Sequence, residues 1–527
     1  MRTCSLLLVF AVACGSVRDR SECATSPECP AGQYCAQTAD GNVCWPDALA
    51  PTLSAVVVAC DSTPCLRSGV LHVTATVADD AEVLGAEVTL DVGGPATPMT
   101  RSGADWVADL PLRRFPFEHF VHGVVARVTA RDGARNEASL DASAATTVTR
   151  LRFERVLEDG VELTSPVVVA DESVAGAATI AVAGANHRAY FVGWDGNGLA
   201  SVAVGTLKIS AAPLALGTSV WIGSEDGKVY EVTNGGGAFW QPNFRCDTTR
   251  PVRGSLAATK TGRVVATSNS GSVFTATSAG CGPSASKRGL PFSLGPVVDS
   301  ADSIYAVAET FVRRLTVDEL GFIDDDPAFT ATTLPWAAVE PVALDSSLFV
   351  PTGLGAQGQL YRIDAADAEP QQLATTSLPS SGFAILAEGS ILVPERNETL
   401  TCWSPNAAEL PYWRSPVLDG APRTPLVTSS VSTPFIVSTD AGAVHALRPG
   451  GTIAWSGKLS AGTAALQPGN IYTPPGQPAD AVLSTAYFAG ADGVLHAVIV
   501  DGALDGAAPW PKAFHDPRNT NRAGPQP

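Results

Sequence analysis

The residues best suited to chemistry in this chain are its cysteines. Cys23, Cys29, Cys35 and Cys44 crowd into 22 residues among Pro, Gly and Ser. In an oxidising compartment four such cysteines read as two disulfides, with three pairings open. A zinc site is the alternative, but the Cys-x-x-Cys spacing it favours is missing. Cys60 and Cys65 are placed to close a short loop, and Cys246 with Cys281 to staple adjacent turns, which leaves Cys402 as a buried thiol. As a nucleophile, Cys402 would need a base that the sequence does not identify. Neither adjacent cysteines nor a Cys-x-x-Cys-His haem attachment sequence occurs anywhere. Ser268-Asn-Ser-Gly271 reads as a hairpin turn, not as a nucleophile elbow between a strand and a helix. His445 and His496 share a repeat position with tyrosines and a phenylalanine, which marks a packing slot; a metal pair is the sharper alternative. His515 is read as structural, and ligand binding around His119 and His122 is the alternative to a purely spacing role for that region. The acidic run from Asp318 to Asp326 lacks the spaced Asp/Asn-Gly pattern of a calcium loop and reads as solvated charge. No catalytic, cofactor-binding or metal-binding residue is therefore assigned.

The N-terminus bears on where the chain works. Met1-Arg2 precedes the short apolar run Ser5–Ala13, too short for a mature membrane span. It ends in Ala11-Val12-Ala13-Cys14-Gly15, which resembles a bacterial lipobox: residues 1–13 would be a signal peptide and Cys14 the acylated mature N-terminus. An ordinary secretory signal is the alternative, and either route exports the chain. Two or more acyl chains on Cys14 would anchor it stably. The later apolar run 167–192 is broken by Asp171, Glu172, His187 and Arg188. A net charge of −18 argues against a nucleic-acid partner, because phosphate would be repelled. With 45% apolar and only 16% charged residues, the chain can build substantial cores.

The elements that must carry these residues are short strands. Val220 to Val232 alternates apolar and polar residues on both sides of Asp226-Gly227, the signature of two antiparallel strands joined by a tight turn. Copies aligned on Tyr230 place equivalents at Tyr190, Phe274, Arg313, Tyr361, Thr401, His445 and His496, spaced 39 to 51 residues apart. That period, with two or more strand signals per unit, predicts four-stranded propeller blades, and eight of them. Pro followed by apolar residues opens six units, at Pro166, Pro213, Pro251, Pro296, Pro341 and Pro425, and predicts an innermost strand directly after each. The closing strand is expected to be Leu151–Val156 or the segment Ala508–Trp510, since closure removes exposed edges.

Upstream, residues 14–48 form the lipidated cysteine and a disulfide-rich module, similar to those that follow the lipid anchor in bacterial surface lipoproteins. Residues 50–150 read as a β-sandwich, with strands expected at 71–77, 84–91, 105–110 and 123–131. Val128-Thr-Ala-Arg-Asp132-Gly-Ala-Arg-Asn136 resembles the "TATDxxGN" signature of bacterial immunoglobulin-like domains. That resemblance implies a turn supported by Asp132 and Asn136 and a role as a spacer. The repeats of residues 151–527, with Trp240, Trp413 and Trp455 following them and Trp510 opening a "WPmFrhDxxnTG"-like terminus, resemble the pyrroloquinoline-quinone-like propellers. The resemblance implies that these four tryptophans dock neighbouring blades. That family includes quinone-dependent dehydrogenases, which hold the cofactor under an adjacent Cys-Cys disulfide beside a calcium ion and an aspartate base, and non-catalytic envelope lipoproteins. Because the Cys-Cys pair is missing, no cofactor is expected. The chain reads as all-β: an immunoglobulin-like sandwich followed by an eight-bladed propeller. It is expected to be a monomeric envelope lipoprotein, anchored in the outer membrane, that binds protein or glycan partners without catalysis. A quinone-dependent dehydrogenase and a surface adhesin are the alternatives.

Overall fold

A computed structural model describes residues 22–523, apart from 40, 81, 171–177, 235–239, 283–284, 287–290, 319–320, 327–328, 330–331, 338, 367–368, 407–408, 460–463 and 480. The expected signal peptide and Cys14 lie outside the described residues. The chain divides into two compact units, Met1–Thr149 and Arg150–Pro527.

In the first unit, the hairpin Gln33–Thr38 with Gly41–Pro46 carries two disulfides, Cys23–Cys35 and Cys29–Cys44. Of the three pairings left open by the sequence, this is the one formed. So small a module has little apolar surface to bury, and covalent links take the place of a core. The module rests on the sandwich through Gly32 N–H to the Ala134 carbonyl and Ser26 Oγ to Glu82. The sandwich has two four-stranded antiparallel sheets. One runs Thr52–Cys60, Val70–Ala78, Asp105–Pro111, Thr100–Ser102, and the other Glu137–Asp141, Ala126–Asp132, Val83–Leu90, Thr97–Pro98. The expected strand 123–131 is in fact two. Val121–Val124 pairs with Thr146–Thr149 in a separate sheet, whereas Ala126–Asp132 pairs with Val83–Leu90, so the chain changes sheets at Val125. Asp132 and Asn136 close their turn as expected, through Asn136 N–H and Nδ2 to the Asp132 carboxylate at 2.8 and 2.9 Å. Cys60–Cys65 ties the end of one sandwich strand to Cys65–Leu66.

The second unit is built of four-stranded antiparallel sheets, two with an added fifth strand, and fits a β-propeller. Its described strands fall into eight such sheets. Seven are consecutive in sequence, and the eighth joins Leu151–Val156 to Val494–Asp501, Leu483–Ala489 and Asn470–Tyr472. The start of the unit thus completes the sheet made by its end, and Ala508–Trp510 has another role, described below. All eight residues aligned on Tyr230 lie on the third strand of their sheets. Successive sheets pack face to face. Tyr230 and Val232 bury against Phe191 of the preceding sheet, and Cys402 against Phe435 and Val437 of the following one.

Local details differ from expectation in instructive ways. The Asp226-Gly227 turn is a four-residue loop, 224–227, between Ser219–Gly223 and Lys228–Asn234. Asp226 accepts from Lys228 N–H at 3.1 Å, from Tyr230 OH at 2.8 Å and from Thr206 N–H at 3.0 Å. Burial and this carboxylate push the Tyr230 phenol well above its ordinary pKa. Gly227 has φ +81°, and a Cβ there would come within 2.9 Å of Arg250 N, so the position requires glycine. Pro166, Pro213, Pro296, Pro341 and Pro425 each precede an innermost strand; Pro251 does not. There the inner strand is Ala257–Ala258, and Val252 instead fills the space beside Gly223 of the preceding sheet. The acidic run is only partly solvated, since Asp326 pairs with Arg314 at 3.2 Å and Asp325 with Arg313 at 3.7 Å.

Candidate functional site

An innermost strand is an edge strand, and its channel-facing N–H groups need acceptors. The acceptors here come from the C-terminal segment. The carbonyls of Trp510, Pro511, Pro517, Arg518, Thr520 and Asn521 accept, in turn, from the N–H groups of Ile385, Val427, Val168, Ala215, Ala258 and Val298, at 2.7–3.1 Å. Each donor lies on the innermost strand of a different sheet. A seventh sheet joins through Asn470 Nδ2, which donates to the Pro517 carbonyl at 2.9 Å. Residues 510–523 therefore run through the centre of the second unit as a plug.

Polar side chains lock the plug. Asn519 Nδ2 donates to the carbonyls of Pro166 and Pro213, at 3.1 and 3.0 Å, bridging two adjacent sheets. Its Oδ1 accepts from Lys512 Nζ at 2.8 Å, and Lys512 also donates to the carbonyls of Ala513 and Asp516. Burial lowers the Lys512 ammonium to a pKa of about 7, against the pull of Asp516. Burial pushes Asp516 up, but His515 Nδ1 beside it at 3.7 Å and hydrogen bonds from the Thr520 N–H and hydroxyl outweigh it and hold the carboxyl low.

Above the plug lies a cavity of about 340 Å³ with Phe514 in its lining. Every sheet contributes to it from the turn before its innermost strand: Ser165, Ala212, Ser255, Leu294, Glu340, Gly382, Arg423 and Pro468. Phe514 and His515 have φ of +61° and +73°, uncommon for residues with side chains and a mark of a conformation imposed by its surroundings. Three cations and two carboxylates line the cavity. Lys208 pairs with Glu162 at 2.8 Å, and Arg253 reaches Glu225 only at 3.5 Å. Arg423 uses Nε on the Leu466 carbonyl at 3.0 Å and has no carboxylate in ion-pair range among the described residues. Burial lowers its guanidinium pKa. Glu340 Oε1 accepts from Ser255 Oγ at 3.4 Å, whereas Oε2 is shielded from solvent and has no hydrogen-bond partner among the described residues. Burial pushes this carboxyl up, opposed by the Ser255 and Gly295 N–H groups.

The residues singled out in the sequence lie elsewhere. Trp240 stacks on Phe191 of the preceding sheet, with ring centroids 3.9 Å apart. Trp413 stacks on Phe435 of the following sheet at 5.6 Å, and Trp455 lies 4.9 Å under the Arg150 guanidinium beside the closing sheet. The docking directions differ for a reason of register. Trp413 and Trp455 sit opposite Cys402 and Ala446, one residue after the aligned position, whereas Trp240 sits opposite Asn234, four after Tyr230. An odd and an even offset point to opposite faces of a sheet. Trp510 is not a blade-docking outer-strand residue. It is buried in the plug, bridged to Ile385, with its ring 5.0 Å from His515.

Cys246–Cys281 joins the outer strand Trp240–Asp247 to Gly280–Cys281 of the next sheet. It is the one disulfide of this unit among the described residues, and it sits on outer strands. No two cysteines are adjacent in the sequence, and residues 510–523 occupy the centre of this unit. His445 bonds Ser456 at 2.7 Å and His496 bonds Glu154 at 3.0 Å, each buried with its own partner. Burial lowers His445 to a pKa of about 4 and raises the Cys402 thiol to about 12, as expected for packing residues. His119 and His122 stack on each other at 4.4 Å beside Phe117 in the first unit. Sequence reasoning missed the mouth. Its one available signal was the clustering of Ser, Arg and Glu just before the proline openers.

No protein-family model and no curated protein sequence matches the chain. Among solved structures, the computationally designed Ika8 protein is similar at 9% identity and a TM-score of 0.50, covering 66% of this chain and 98% of its own. BamB from Moraxella catarrhalis aligns over the same shares at 15% identity, with a TM-score of 0.46. At 9% identity the likeness to Ika8 speaks to fold alone.

Proposed function

We propose that this chain is an exported, membrane-anchored lipoprotein, held through Cys14, whose eight-bladed propeller of pyrroloquinoline-quinone-like repeats is a non-catalytic binding platform for envelope protein or glycan. In this reading the first unit is an immunoglobulin-like spacer behind the anchor. The observation that carries it is the central mouth, to which every sheet lends residues and whose floor is the chain's own C-terminal plug. A concave site on a rigid scaffold, floored by protein, suits recognition of a ligand. Four disulfides support an oxidising compartment outside the cytoplasm. The test is cross-linking of the intact chain in its native envelope from a photoreactive residue at Gln467, in the mouth lining, with Phe244 on an outer strand as the control. Specific adducts are expected from Gln467 only. Adducts from neither position, or equally from both, would remove the mouth from the function.

A further inference from the structure

The mouth contrasts with the rest of the molecule. A chain of net charge −18 gathers Lys208, Arg253 and Arg423 around one cavity. Only Lys208 is closely paired with a carboxylate. Withdrawing a guanidinium from water without a carboxylate costs free energy, and an anion delivered by a ligand would recover it. A carboxylate lines the same cavity: Glu340 Oε1 has a long contact from Ser255 Oγ at 3.4 Å, and Oε2 is shielded from solvent. A ligand hydroxyl donating to Oε1 would use the lone pair that Ser255 leaves open. Ser165, Ser255 and Ser381 add hydroxyls that both donate and accept. Phe514, half-buried and in the lining, supplies an apolar face. Gly382 lies between Glu340 and the Thr424 beside Arg423: a Cβ there would meet Thr424 Oγ1 at 3.4 Å and the Glu340 carbonyl at 3.6 Å.

One ligand chemistry answers all of these features: a compact body rich in hydroxyls, bearing one carboxylate and one apolar face. We propose that the mouth binds a uronic acid unit of an acidic glycan, with Arg423 holding the carboxylate, Glu340 accepting from a sugar hydroxyl and Phe514 packing against the ring. This rests on the reading of the mouth as a binding site and narrows its ligand to one class. The number of hydroxyl-bearing side chains favours a sugar over an acidic peptide, whose carboxylates come on aliphatic stems with few donors. A volume of about 340 Å³ falls at the small end of ligand cavities, room for one or two sugar units.

The test is calorimetric titration of the full chain with trigalacturonate, with maltotriose and triglutamate as comparisons. Trigalacturonate is expected to bind and the other two to bind at least about tenfold more weakly, the factor that one charge-assisted hydrogen bond supplies. Arg423→Gln is expected to weaken trigalacturonate binding by about tenfold or more at an unchanged melting temperature, and Arg423→Lys to restore part of it. Glu340→Gln, which keeps the volume, is expected to weaken it less. Absence of trigalacturonate binding, binding undiminished in Arg423→Gln, or equal binding of triglutamate would each overturn the proposal. If trigalacturonate fails while cross-links still form from Gln467, the acidic-sugar assignment falls and the platform reading stands.

Discussion

Asn519 is the most economical place to test whether the plug holds the second unit together. Its side chain bridges Pro166 and Pro213 on adjacent sheets and accepts from Lys512, all without solvent. Its φ is +56°, so Asn519→Gly removes the side chain without forcing a β-carbon into a left-handed conformation. The Pro166 carbonyl keeps the Asn470 amide at 2.9 Å, so that loss is small. The Pro213 carbonyl is left unpaired, at about 1–3 kcal/mol, and Lys512 loses one of its three acceptors, at about 1.5–3 kcal/mol. Added backbone freedom in the unfolded chain contributes about 0.5–1 kcal/mol more. A destabilisation of about 4 kcal/mol follows, which for a unit of this size lowers Tm by about 5 °C. Asn519→Ala is expected to be worse by a further ~1 kcal/mol, because alanine is strained at that φ. Differential scanning calorimetry of the full chain reads both. A drop below about 1 °C for Asn519→Gly would mean that the inner strands do not depend on the plug.

Three other outcomes follow from the same packing. Because burial lowers Lys512 to about 7, the unfolded chain binds more protons than the native one between that value and about 10.4, so stability rises with pH through this window by up to ~1.4 kcal/mol per unit. The Tm difference between the native chain and Lys512→Met should therefore change between pH 7 and pH 9 in favour of the native chain; a parallel pH dependence of the two would show that Lys512 does not titrate there. Trp240→Ala should cost about 3 kcal/mol through the lost stack on Phe191, and Trp510→Ala about 4–5 kcal/mol, since Trp510 is fully enclosed; equal Tm values for the two variants would contradict the buried plug. Replacing Cys246 and Cys281 together by serine should lower stability by about 4 kcal/mol, by the entropy of a loop of this length, with far-UV circular dichroism unchanged at 20 °C; loss of the β signal at that temperature would show that the bond is needed for the sheets to form at all.

Much of the architecture was legible from local pattern. Alternation and Asp-Gly loops encode the strands of each repeat, because side-chain direction in a strand is set by its own backbone. The spacing of eight aligned positions put every one of them on a third strand. Crowded cysteines likewise announced disulfides, while the choice of Cys23–Cys35 with Cys29–Cys44 came only from the hairpin that brings Cys35 and Cys44 opposite each other. Trp240 shows how narrow the margin is: a shift of odd to even register, invisible without the pairing, turned its indole to the preceding sheet.

The mouth and the plug belong to tertiary structure. Asn519 meets Pro166 across 353 positions, and Arg423 shares a cavity with Ser165 only because the sheets come together around one centre. Residues 510–523 have no strand pattern of their own, since their carbonyls complete other strands' edges; their order exists only where those edges converge. Local sequence can specify a strand because a strand's periodicity is local. It cannot specify which groups from opposite ends of the chain will face one another, because that depends on how all the sheets pack at once.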